Sequence, residues 1–155
     1  MSTTLVVGDK APAFKSIDQN GQPISLADYK GKKLALFFYP KDNTPTCTKQ
    51  ACNLSENWQS LQDAGIEVVG ISVDGEKSHK SFAQKFNLSY PLVVDENKSI
   101  VEAYGVWGEK KMYGRAYMGT LRVTFLINEK GKIDHIIDKV EAAKHAAQIL
   151  KLWQV

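Results

Sequence analysis

The chain is poor in the residues that usually carry chemistry. Its 155 residues include two cysteines, three histidines and two arginines, the last set against eighteen lysines. Two cysteines cannot build the disulfide framework of a small secreted domain, and a chain of this length can bury a core without one. Two cysteines and three scattered histidines give no recognisable zinc pattern. No apolar run is long enough to span a bilayer, and the first ten residues lack a basic start followed by a long apolar stretch. The expectation is a cytoplasmic protein with no membrane partner. The net charge is only +3, with lysines and acids interleaved from Lys10 to Lys151. The absence of a basic arm or stripe argues against a nucleic-acid partner. Repeats, low-complexity tracts and linkers are also missing, so one domain over residues 1–155 is expected.

What is present is ordered punctuation. Asn20-Gly21 lies between Ala13–Ile17 and Pro23–Leu26 and predicts a small N-terminal hairpin with a type I′ turn. Leu34–Tyr39 is a continuous apolar run ending at Pro40, which suits a strand buried on both faces. Thr44-Pro45 is a helix start, with threonine as N-cap and proline at N1; the helix is expected to run to about Ala64, with Gly65 as its stop. Ile66–Val73 reads as a second buried strand, Ser78–Phe86 as a helix, Leu92–Val94 as a short strand and Ser99–Tyr104 as a short helix. Residues 105–119 hold four glycines and little periodicity, and are expected to form a long loop. Val123–Asn128 and Ile133–Asp138 predict an antiparallel hairpin, and Val140, Ala143, Ala147 and Leu150 an amphipathic last helix. This order predicts an α/β chain with a mixed central sheet flanked by helices, compatible with a thioredoxin-like fold.

Cys47 is the residue with the most chemical promise. It follows a central strand and falls at N3 of the predicted helix, where free N–H groups and the helix dipole favour an anion. A thiolate is the nucleophilic form of cysteine, and helix N-termini favour it. Position alone leaves a small buried hydrophobe as the other reading. Thr44 is either a plain helix cap or a hydroxyl beside a ligand of Cys47. Pro40 either ends the strand or also stiffens and shields the cysteine loop. Cys52 is either a chance member of the helix core or a resolving thiol; the spacing is not Cys-x-x-Cys. Arg122 precedes the strand Val123–Asn128 and would stabilise a thiolate if aimed at one; from its neighbours alone, a surface cation is the plainer reading. Arg115 reads as solvated. The histidines lie far from Cys47 in sequence, and Trp58, Trp107 and Trp153 read as packing residues.

These residues together resemble the peroxiredoxin family. Pro40-x-x-x-Thr44-x-x-Cys47 is similar to its active-site signature, and Cys52 to the second cysteine of the bacterioferritin comigratory protein, or peroxiredoxin Q, branch. The likeness extends through residues 8–14, 37–40, 104–107, 122–127 and 131–132, nearly the length of the chain. It departs at Thr46, where the family often has glycine; a side chain there could narrow access or alter loop flexibility. The resemblance implies a thioredoxin-like fold and a thiol-dependent peroxidase acting on hydrogen peroxide and organic hydroperoxides. Cys47 would be the peroxidatic thiolate, Arg122 its charge partner, Thr44 a donor and acceptor around the peroxide, and Pro40 a shield. Cys52 would resolve the Cys47 sulfenic acid as an intramolecular disulfide. It further implies no metal or organic cofactor, thioredoxin or a similar dithiol protein as reductant, and a monomer. The rival readings are a thiol-disulfide oxidoreductase on the same fold, which would act without peroxide, and a non-catalytic thioredoxin-like binding module, which would form no sulfenic acid.

Overall fold

The computed structural model describes residues 3–153. Its centre is a five-stranded sheet whose strands, in spatial order, are β5 (Leu92–Val94), β4 (Ile66–Ser72), β3 (Lys33–Phe38), β8 (Val123–Ile127) and β9 (Ile133–Ile137). The middle strand β3 pairs parallel to β4 and antiparallel to β8, so the sheet is mixed as expected. A small N-terminal hairpin joins β1 (Lys15–Ile17) to β2 (Pro23–Ser25).

The continuous apolar run of β3 follows from burial on both sides of the sheet. Leu34, Leu36 and Phe38 share one face with Val69, Ile71, Val93, Val123 and Phe125, under α4 (Ser99–Ala103) and the N-terminal segment. Ala35, Phe37 and Tyr39 point to the other face. There they meet α1 (Pro45–Glu56), α2 (Trp58–Asp63), α3 (Glu76–Phe86) and α5 (His145–Trp153) through Ala51, Leu54, Leu61, Phe82 and Ile149. Gly70 makes this second face fit: a Cβ there would stand 2.7 Å from the Phe37 ring and 2.9 Å from Leu92.

Several expectations change. The predicted helix to Ala64 breaks at Asn57 (φ −103°, ψ 14°) into α1 and α2. The last α-helix begins at His145, so Val140 and Ala143 precede it and a 3-10 turn (Ala142–Lys144) leads in. The N-terminal turn is not type I′, because Asn20 is absent from the positive-φ residues and only Gly21 (φ 74°) is left-handed. Instead the Asp18 carboxylate accepts the N–H groups of Asn20 and Gln22. The largest correction concerns residues 105–119. They are not a loop but most of a hairpin, β6 (Trp107–Met112) with β7 (Arg115–Thr120), in register from Trp107↔Thr120 to Met112↔Arg115. Its two-residue turn is Tyr113-Gly114, both with positive φ (53° and 77°), the backbone a tight I′-like reversal requires.

Candidate active site

The C-terminal end of β3, where open α/β sheets bind ligands, leads through Pro40–Asn43 into α1. Asn43 turns the chain in the left-handed region (φ 61°), Thr44 takes the N-cap position with extended backbone and Pro45 opens the helix. Thr44 does not cap with its side chain: its hydroxyl donates instead to the Lys41 carbonyl at 2.9 Å. Cys47 therefore sits in the first turn of α1, 1% exposed, with its sulfur at the floor of a cavity of about 550 Å³. Pro40, Thr44 and Arg122 line the same cavity, so the fold brings four of the five sequence-predicted residues together.

The Arg122 guanidinium spans two partners. Its Nη2 lies 3.1 Å from the Cys47 sulfur, and its Nη1 donates to the Gln50 side-chain carbonyl at 2.6 Å. Arg122 is half-buried and directed inward, unlike the exposed Arg115. Gln50 is fully buried, and its Nε2 finds no acceptor among the described residues. The guanidinium thus sets a positive charge and an N–H donor against the sulfur.

Cys52, the fifth residue, lies farther along α1 and away from the cavity lining; it is half-buried and not bonded to Cys47. Burial first and then the carboxylate of Glu56 push its thiol above the ordinary cysteine value. Opposite Cys47 the hairpin supplies Trp107, Tyr117 and Met118, which with Val73 make an apolar wall. Lys110 adds a cation. Its stem crosses Gly119, where a Cβ would stand 3.0 Å away, and its ammonium donates to the Thr120 carbonyl at 3.1 Å. Burial, then Arg122, push Lys110 below its ordinary value, while Cys47 pulls the other way.

Sequence reasoning passed over Gln50, Lys110 and a buried polar cluster behind the loop. Gln50 had a signal: three residues after Cys47 on a helix puts it on the same side. Lys110 had none, because its hairpin was unforeseen. The cluster centres on Asp42, whose carboxylate accepts from the Tyr39 hydroxyl (2.6 Å), the Ser78 hydroxyl (2.8 Å) and His79 Nδ1 (2.7 Å). Asp42, Asp74 and His79 bring ligand-type atoms within 4.8 Å of one another, but those atoms are already engaged in hydrogen bonds inside the fold.

A fold with a buried thiol at a helix start, in contact with a guanidinium, defines a class of thiol enzymes on a thioredoxin-like frame. Residues 7–136 match the model of the AhpC/TSA family. The putative peroxiredoxin bcp of Coxiella burnetii is 45% identical over 147 residues, covering 95% of this chain and 97% of its own. A cysteine-to-serine mutant of Xylella fastidiosa PrxQ superposes with a TM-score of 0.92 at 29% identity, covering 99% of this chain and 98% of that one. A Xanthomonas campestris bacterioferritin comigratory protein, solved for its alkyl peroxide reduction activity, gives a TM-score of 0.87 at 30% identity, with 99% and 98% covered. The chain belongs to the AhpC/TSA family, within its bacterioferritin comigratory protein, or peroxiredoxin Q, branch. It is accordingly an enzyme, a thiol-dependent peroxidase.

Proposed function

We propose that Cys47 is the peroxidatic residue and Cys52 the resolving one. The observation that carries this reading is the contact between Arg122 Nη2 and the Cys47 sulfur at 3.1 Å, in the cavity that Pro40 and Thr44 also line. The Cys47 thiolate attacks one oxygen of the hydroperoxide, an S–O bond forms and the O–O bond breaks. The electron pair leaves on the second oxygen, stabilised by Arg122 and the N–H groups of the first turn of α1. Protonation of that oxygen releases water or an alcohol, and Cys47 remains as a sulfenic acid. The Thr44 hydroxyl donates its hydrogen bond to the Lys41 carbonyl, so its lone pairs accept from the peroxide O–H. Pro40 shields one side of the thiolate. Cys52 then displaces hydroxide from Cys47, forming the disulfide and releasing water, and a thioredoxin-type dithiol protein returns both thiols by exchange.

Hydrogen peroxide and organic hydroperoxides both fit the reading, the latter against the apolar wall of the cavity. Among the described residues no helix is long and apolar enough to cross a membrane, in keeping with a cytoplasmic enzyme. We read the chain as one domain acting as a monomer. Substitution tests the roles. Cys47→Ser is expected to abolish peroxide turnover. Cys52→Ser is expected to keep one round of attack and accumulate a species one oxygen heavier by mass spectrometry. A Cys47→Ser protein that consumes peroxide like the wild type would falsify the assignment. Measuring peroxide consumption separates this activity from disulfide exchange alone.

A further inference from the structure

The polar cluster behind the active-site loop is linked by hydrogen bonds to the backbone that holds Thr44. His79 is fully buried. Its Nε2 faces the Val93 carbonyl at 2.8 Å, and a carbonyl only accepts, so Nε2 carries a proton. Its Nδ1 is hydrogen-bonded to an Asp42 oxygen at 2.7 Å. The Tyr39 and Ser78 hydroxyls also converge on that carboxyl group. Asp42 is thus fixed through its side chain to α3 and β5.

Its backbone is fixed too. The Asp42 N–H donates to Asp74 Oδ2 at 2.9 Å, and the Ser72 hydroxyl holds the same oxygen at 2.6 Å. That N–H belongs to the Lys41–Asp42 peptide, whose other end is the Lys41 carbonyl. The described peptides are all trans, so the two ends point in opposite directions and fixing one fixes the other. The Lys41 carbonyl is the group that accepts the Thr44 hydroxyl hydrogen bond, at 2.9 Å. Were that carbonyl to rotate away, the hydroxyl would be free to turn its proton toward the cavity and lose its acceptor role.

We infer that Asp74 and the Asp42–His79 pair are positioning residues for peroxide reduction, which act through the Lys41–Asp42 peptide to keep Thr44 presenting its lone pairs to the peroxide. The inference rests on the roles of Cys47 and Thr44 given above. None of the three touches the reacting atoms, so the effect must be selective for a step that needs an acceptor. Alkylation of Cys47 by iodoacetamide is a control of this kind, because it consumes the same thiolate and has no peroxide proton to receive.

The test is single-turnover oxidation of Cys47 by hydrogen peroxide, run beside iodoacetamide alkylation at the same pH. Asp74→Ala is expected to slow oxidation about tenfold or more, as a misaligned catalytic group does, with alkylation essentially unchanged. Asp74→Asn keeps an accepting oxygen and is expected to recover most of the loss. His79→Asn cannot reach both Asp42 and Val93 and is expected to show the same selective loss; if it does not fold, the half-exposed Asp74 carries the decision. With Thr44→Val already present, Asp74→Ala should cost nothing further. Unchanged oxidation in Asp74→Ala overturns the inference, as does a parallel fall in oxidation and alkylation, or a full second loss on top of Thr44→Val. Persistent turnover in Cys47→Ser would instead remove the reading beneath it, and the two failures are distinguishable.

Discussion

At the scale of single residues, the site is defined by where one positive charge is allowed to go. Arg122 is shared between Cys47 and Gln50, and Gln50 is neutral. A carboxylate in its place would hold the guanidinium by charge as well as by hydrogen bond and compete with the thiolate. Gln50→Glu is therefore expected to slow both alkylation and peroxide oxidation of Cys47 at neutral pH, roughly tenfold for each 1.4 kcal/mol of thiolate stabilisation lost. Arg122→Met should do the same by removing the charge outright. Rates equal to wild type in both variants would return Arg122 to the surface-cation reading. Burial and then Glu56 push the Cys52 thiol above its ordinary value, which favours the thiol over the nucleophilic thiolate.

At the scale of elements, the two cysteines occupy one helix, and that creates a geometric conflict. Five residues along an α-helix separate Cα atoms by roughly 8.5–9 Å and turn the side chains about 140° apart. A disulfide needs Cα atoms within about 7 Å. Part of α1 must therefore open before Cys52 reaches Cys47. The opening is opposed by side-chain clamps. Asn53 donates to the Ala143 carbonyl and accepts from the Ala146 N–H, at 2.9 and 2.8 Å. The Tyr90 hydroxyl donates to the Ala51 carbonyl at 2.8 Å. Amide hydrogen exchange is expected to show protection near Cys52 falling on oxidation; equal protection with the disulfide confirmed by mass would refute local unwinding. Asn53→Ala removes two hydrogen bonds and should speed disulfide closure by up to about thirtyfold, at about 1 kcal/mol for each. Closure no faster than wild type would mean that opening is limited elsewhere.

The docking of α5 carries its own pH dependence. His145 Nδ1 donates to Gln148 Oε1, an acceptor only, so Nε2 accepts the Thr124 hydroxyl and the ring is neutral. Burial, with a smaller push from Arg122, lowers its pKa from 6.5 to about 4. The unfolded chain takes up this proton first. Its contribution is thus complete above pH 6.5, is lost as pH falls toward 4, and amounts to about 3 kcal/mol in all. Urea unfolding should show this slope in wild type and a flatter one in His145→Gln. Parallel slopes would exclude His145 as the source.

For the molecule as a whole, the parts legible in the sequence were those with two-sided burial or distinctive backbone chemistry. Leu34–Phe38 announced the central strand because both its faces are covered, and Thr44-Pro45 announced the helix carrying Cys47. The β6–β7 hairpin stayed hidden because residues 115–118 are all exposed and leave no alternation to read. His79 and His145 showed in the sequence only their distance from Cys47; both are buried, because hydrogen-bond partners distant in sequence satisfy them. Arg122 was ambiguous for the same reason, as its partners lie 75 and 72 residues away. Since the unforeseen hairpin forms one wall of the cavity, it should govern substrate size. Met118→Ser is expected to lower kcat/KM for cumene hydroperoxide several-fold while leaving hydrogen peroxide little affected, because a small peroxide makes little use of an apolar wall. Equal losses for both substrates would show that the wall does not discriminate.

The clamps on α1 also set a clock. A sulfenic acid on Cys47 has two fates: capture by Cys52, or a second peroxide that carries it to the sulfinic acid and ends the cycle. The tighter Asn53 and Tyr90 hold the helix, the longer the oxidised sulfur waits and the lower the peroxide concentration that inactivates the enzyme. A looser helix survives a harsher dose but spends more time away from the arrangement that attacks peroxide. The strength of a few hydrogen bonds that do not involve the reacting sulfur thus decides how much oxidant the molecule survives before it is lost.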